Sequence, residues 1–183
     1  LDPHLTVICG TVNPITLTQL ERSEDAGFCR MRLTPEQKLT PGYWESEEGE
    51  RQFATFRDML HEHDYCIIDS NNEGGIAEND AYAERLGMDL SDIRLAVARS
   101  LGSILQGIFD SPDLGTMLIT GGDTLLQCMQ YMGVTVLEPI CEIEAGIVLS
   151  RFEYKGTTRY VMTKSGGFGS ADLFEKIARK IRS

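Results

Sequence analysis

Residues 116–133 read TMLITGGDTLLQCMQYMG. Thr116 to Thr120 form an apolar run relieved only by threonine, with no polar alternation, which is the pattern of a strand buried on both faces. Gly121 and Gly122 end the run, and the helix LLQCMQYMG follows, closed by Gly133. A buried strand feeding a helix through a small turn is half of a strand-helix-strand unit. The rest of the chain decides whether that unit recurs.

It does. Leu5 to Cys9 is a second such run, followed by a helix through LTQLERSEDAG whose apolar face carries Leu17, Leu20 and Ala26 and whose stop is Gly27. Phe28 to Leu33 alternates apolar and basic residues as a strand, and Tyr65 to Asp69 is another strand ending in the polar turn SNNEGG. Phe53, Phe56, Met59 and Leu60 place a helix within Ser46 to His63. Ile93, Val97, Leu101, Ile104, Leu105 and Ile108 give Ser91 to Phe109 the clearest amphipathic face. Thr34 to Glu50, rich in Pro, Gly and Glu, reads as an excursion or exposed loop; its acidic WESEEGE segment, Trp44 to Glu50, reads as a solvated loop, with a contact surface around an exposed Trp44 as the alternative.

From Val134 the texture changes to short strands: Val134–Leu137, Cys141–Ser150, Phe152–Tyr154 and Arg159–Thr163, with a hairpin at Tyr154–Thr157 and a basic closing helix over Ala171–Ile181. The expected fold is therefore α/β: a mostly parallel or mixed sheet with helices on both faces, in a Rossmann-like three-layer arrangement. A length of 183 residues suits one domain with a sizeable core.

Composition narrows the function. A formal net charge of -11 disfavours nucleic acid, whose phosphates want a basic surface. No apolar stretch reaches the roughly 20 residues of a membrane span, and no secretory leader is present, so the expectation is a cytoplasmic protein without a membrane partner. Cys9, Cys29, Cys66, Cys128 and Cys141 are widely spaced, mostly within apolar stretches, and read as reduced core residues. The opening LDPHLTVICG, with no initiator Met just ahead of a strong strand, reads as a domain cut from a longer chain.

Three strand ends run into small or polar loops: Cys9–Pro14 (CGTVNP), Thr120–Thr124 (TGGDT) and Lys164–Ser170 (KSGGFGS). In an open α/β sheet these carboxyl-end loops border the ligand crevice. Glycine there lets backbone approach a ligand, and the helix that follows offers unpaired N–H groups to an anion, phosphate above all. Lys164 would add a point charge, and Asp123 would hold a magnesium ion directly or through water. Each feature also has a plain structural reading: a tight turn at Gly121-Gly122, an N-cap at Asp123, a solvated strand end at Lys164, and a flexible connector through Gly166, Gly167 and Gly169 that Ser170 closes as a cap. Neither a P-loop nor a G-x-G-x-x-G follows the first strand, which weakens a dinucleotide-dependent oxidoreductase. His61 and His63, two apart on a helix, face different directions and make no metal pair.

At these loops the sequence resembles the C-terminal nucleotide-binding domain of the four-carbon acid sugar kinases. The likeness rests on GTVNPITLTQL, with its Gly-Thr turn and Thr-x-x-Gln helix, on GGDT and on KSGGFG, in that order, and runs from Leu5 to about Phe174. It implies a phosphotransferase that moves the ATP γ-phosphate to an acid sugar such as threonate, erythronate or an oxo-tetronate. Residues 1–183 would then be the C-terminal domain of a larger two-domain kinase whose absent N-terminal domain carries most of the sugar site and the base. Thr11, Gly121, Gly122, Asp123, Thr124, Gly166 and Gly167 would contact ATP, with Lys164 beside them; Asp123 would serve Mg²⁺. Phe168 would anchor its loop in the core. The resemblance also implies a possible homodimer, and an isolated chain without turnover. The alternative is a non-catalytic nucleotide-binding regulatory domain on the same scaffold.

Overall fold

Leu5–Cys9 forms β1, buried along its whole length as its unrelieved apolar run requires. A computed structural model describes residues 1–183. After β1 come α1 (Pro14–Asp25), β2 (Cys29–Arg32), α2 (Pro35–Leu39), a 3₁₀ turn at Tyr43–Glu45, α3 (Glu47–Glu62), β3 (Tyr65–Asp69), α4 (Gly75–Arg85) and α5 (Leu90–Ile108). The chain continues through β4 (Thr116–Thr120), α6 (Gly122–Tyr131), β5 (Glu138–Glu144), β6 (Ile147–Tyr154), β7 (Thr157–Lys164) and α7 (Leu173–Arg182).

One seven-stranded sheet runs β2-β3-β1-β4-β7-β6-β5. The first five strands in this order are parallel, and β6 and β5 extend the edge antiparallel. Alternation along each strand assigns the two faces. Val7, Ile67, Leu118 and Met162 pack under α1 and α7 against Leu20, Phe28, Leu173, Phe174 and Ile177. Ile8, Ile68, Met117 and Ile119 pack on the opposite face against Phe53, Phe56, Leu101, Ile104, Leu105 and Cys128 of α3, α5 and α6. The expected α/β class and three-layer arrangement hold.

Several local readings change. Thr34–Glu50 is folded: Thr34 and Gln37 form a reciprocal capping box with Pro35 in the first turn of α2, and Ser46 caps α3. Trp44 is not exposed. Its indole packs on Phe53 and Phe56 in the core, so WESEEGE offers no aromatic contact surface. Val134–Leu137 is not a strand, because pairing with β6 begins only at Glu138. Cys141–Ser150 is two strands, divided where Gly146 takes a positive φ of 77°. The hairpin at Tyr154–Thr157 is as expected, with Lys155 and Gly156 both left-handed. All five cysteines are free; Cys9, Cys66 and Cys128 are core residues, but Cys141 lies exposed on edge strand β5.

Candidate functional site

Strands β3, β1 and β4 end level with one another, Cys9 pairing with both Asp69 and Thr120. Beyond their carboxyl ends lies a cavity of about 580 Å³. Gly10, Thr11 and Val12 enter it from the first loop, and Gly121, Gly122, Asp123 and Thr124 from the fourth strand. Helices α4 and α5 supply the opposite wall at helical spacing, Ile76, Asn79 and Asp80 from one and Leu90, Ile93, Arg94, Val97 and Ala98 from the other. Five of the eight expected site residues therefore share one cavity.

Close packing makes the glycine turns necessary. A Cβ built on Gly10 would stand 1.7 Å from the hydroxyl oxygen of the buried Thr124 and 3.0 Å from Leu101 Cδ1. Gly121 has φ +105° and ψ 125°, a conformation open to glycine almost alone. It is also the N-cap of α6, and no side chain caps that helix, whereas Asn13, Thr34, Ser46 and Asp89 cap α1, α2, α3 and α5. The first amides of α6 are thus left available at the cavity edge. Asp123 is well exposed, and Arg94 Nη2 donates to it at 2.8 Å.

The floor is polar and ordered. Asp69, with no exposed surface, accepts from Arg30 Nη2 at 2.7 Å and Nε at 3.0 Å, and its other oxygen accepts from the Asn71 backbone and amide. Asn71 Nδ2 also donates to Thr11 O at 3.0 Å, tying the third strand end to the first loop. Lys38 of α2 lines the same cavity, its ammonium donating to Ser70 O at 2.8 Å and Asn72 Oδ1 at 2.9 Å. Burial lowers its pKa to about 8.

Lys164, Gly166 and Gly167 lie outside this cavity, on the far side of the first loop. Lys164 donates to Thr16 Oγ1 (3.0 Å), Ser165 O (3.1 Å) and Gly166 O (3.1 Å), and Thr16 Oγ1 donates on to Gly166 O at 2.9 Å. Burial also pushes this lysine down to about 8. Gln19, fully buried, donates from Nε2 to Phe168 O and Ser170 O, both at 3.0 Å. Thr16 and Gln19 are the two ends of the Thr-x-x-Gln motif, which acts as a clasp on KSGGFGS. Gly166 abuts Asn13, so the clasped loop borders the first loop, and Gly167 faces open space. Phe168 does not enter the core: it is 51% exposed and lies over Gly146 at the β5–β6 turn. Ser170 does not cap α7; its hydroxyl donates to Asp172, the N-cap residue, at 2.6 Å.

Sequence reading missed Lys38, Asn71 and the α4–α5 wall. For Lys38 a local signal existed, the Thr34-Pro-Glu-Gln37 start of a short helix. No three His, Cys, Asp or Glu side chains converge as a metal site. No helix is long and apolar enough to cross a membrane.

A parallel α/β domain with glycine turns and an uncapped helix start at its carboxyl edge has the form of a nucleotide-binding domain. The family model described as nucleotide-binding C-terminal domain matches residues 6–174, and the chain belongs to that family, the one its loops resemble. Among curated proteins it is similar to a 3-oxo-isoapionate kinase of Paraburkholderia graminis, 22% identical over 180 residues that cover 93% of this chain and 37% of the kinase. Solved structures share the fold. A domain of unknown function from Bordetella bronchiseptica, a domain-swapped dimer with bound citrate, aligns at a TM-score of 0.70 with 22% identity, covering 98% of this chain and 39% of that one. A Salmonella typhimurium LT2 protein, provisionally named a tRNA synthase, aligns at 0.74 with 17% identity over 98% of this chain and 41% of its own. The chain thus spans about two fifths of the length of these relatives.

Proposed function

We propose that this chain is the ATP-binding, C-terminal half of a two-domain kinase that transfers the γ-phosphoryl group of ATP to a hydroxyl of a four-carbon acid sugar. The observation that carries the reading is the cavity where the Gly10–Thr11 and Gly121–Thr124 turns meet the uncapped start of α6. Its volume lies within the range of small-molecule sites. The aliphatic wall of Ile76, Leu90, Ile93 and Val97 suits a planar base, and the turns at the other side suit phosphates.

Phosphoryl transfer asks a protein mainly for positioning and for stabilisation of charge. The amides of Gly122, Asp123 and Thr124 supply fixed dipoles, and the first loop, braced by Asn71, closes the other side. The exposed carboxylate of Asp123 would hold a magnesium ion. Such an ion neutralises phosphate oxygens. Arg94 must then release Asp123. Lys164, Gly166 and Gly167 contribute through the clasped loop on the flank of the first loop. The base that activates the sugar hydroxyl, and most sugar contacts, belong in this reading to an N-terminal domain outside this chain, so the chain alone has no turnover; the full kinase is cytoplasmic and can pair as a homodimer.

The test is calorimetric titration with ADP and ATP, with and without Mg²⁺, against NAD as control. Selective binding of adenine nucleotides is the expected outcome, and a preference for NAD would sink the reading. Gly167→Leu separates the flank: its site is sterically open and its φ is not left-handed, so the fold survives and a loss of nucleotide affinity reports contact.

A further inference from the structure

Helix α2 has only five residues, yet three devices hold it in place. Thr34 and Gln37 cap its start, and from α5 the Ser100 hydroxyl reaches Lys38 O at 2.9 Å and Gln37 O at 3.3 Å. The side chain so positioned is that of Lys38, 4% exposed in the wall of the cavity. Two of its three ammonium hydrogens go to Ser70 O and Asn72 Oδ1, both neutral oxygens. The third has no acceptor in the protein. Its nearest carboxylates are committed elsewhere, Asp69 to Arg30 and Asn71, and Glu78 to Asn72 Nδ2.

A buried ammonium with neutral partners and a spare donor is costly until an anion arrives. The other cations at this edge are placed differently: Lys164 has three acceptors and lies outside the cavity, and Arg94 is a solvent-exposed side chain that, without a magnesium ion, is paired with Asp123. We infer that Lys38 is the side chain that meets the phosphate charge of the bound nucleotide, an assignment that rests on the nucleotide reading above. Burial lowers the charge of Lys38, and Asp69 on β3 and Glu78 on α4 oppose it; the other charged groups on the elements around it are Asp80 on α4, Glu36 on its own helix, Glu45 on the 3₁₀ turn, Arg94 and Arg99 on α5, and Asp123 on α6. A phosphate beside the ammonium raises its pKa from about 8. Nucleotide binding at pH 8 is therefore accompanied by proton uptake, since ADP itself is fully ionised there.

The experiment is titration of the chain with ADP and with adenosine at pH 8, in buffers of different ionisation enthalpy, for the wild type, K38M and K38R. The wild type should take up about half a proton per ADP. K38M should lose about thirtyfold in ADP affinity, the scale of a hydrogen bond to a charged group, and bind adenosine as before. K38R keeps the charge and should bind ADP without uptake, which preserves the test if K38M does not fold. Equal ADP affinity in wild type and K38M, or uptake that persists in K38R, overturns the assignment to Lys38 and leaves the nucleotide reading standing. Failure of the wild type to bind either ligand removes the nucleotide reading and the Lys38 assignment together.

Discussion

Lys38 and Lys164 stand on two sides of the first loop, 4% and 3% exposed, each lowered by burial to about pKa 8. One borders a cavity with a donor to spare. The other spends all three hydrogens on a hydroxyl and two carbonyls and so fixes the course of KSGGFGS. Burial and pKa are the same for both, so neither property separates a ligand-facing lysine from an internal brace; the count of satisfied hydrogens does.

The strongest way to break the comparison is to fill the cavity side. Gly10→Ala places a Cβ 1.7 Å from Thr124 Oγ1, whose residue is only 2% exposed. We expect a loss of about 1–3 kcal/mol in urea unfolding, from overpacking, and ADP affinity down by at least about a hundredfold. An unperturbed stability would mean that Thr124 can leave its place. On the other side, Gln19→Leu leaves Phe168 O and Ser170 O without their donor, at a cost of about 1–3 kcal/mol. Proton uptake on ADP binding should survive this change, because the cavity side is untouched; its disappearance would show that the two sides are one unit.

Titration sharpens the contrast by a smaller amount. Both lysines have folded pKa values below the ordinary 10.5, so the unfolded chain holds more protons between about pH 8 and 10.5, and their burial penalty is relieved as pH rises through that window. Relative to K164M, the wild type should therefore gain stability from pH 8 to 10, as read by unfolding in parallel buffers. A constant difference would mean that the Lys164 ammonium keeps an ordinary pKa. The least effect belongs to Arg94→Ala, whose exposed pair with Asp123 should change unfolding by no more than about 0.5 kcal/mol. Its value is in freeing Asp123, so any effect on ADP affinity should appear only with Mg²⁺ present.

The central strands were legible because β1, β3 and β4 are buried on both faces and announce it with unbroken apolar runs. The turns after β1 and β4 were equally legible, since glycine at a strand end has few other uses. Thr34–Glu50 misled because Pro, Gly and Glu outnumber its apolar residues, while the few present, Leu39, Tyr43 and Trp44, are buried, the last two in the cluster that α3 and α5 build. Helix α4 carries little apolar signal: Ala83 is its one buried residue, and its other business is the cavity wall. The two lysines could not be told apart from sequence. Lys164 finds Thr16 across 148 positions, and Lys38 finds Ser70 across 32, so the number of acceptors each meets is a property of the fold alone.

The clasp between Gln19 and Ser170 joins positions 151 apart. On a ribosome, the first loop emerges and waits through 151 further positions before its neighbour exists. β7, which must insert between β4 and β6, arrives after every helix except α7. Contacts of such long range form slowly. Competence to bind is in that sense a late event in the life of each molecule, and a chain interrupted before residue 165 would carry the glycine turns of the cavity without the loop that borders them.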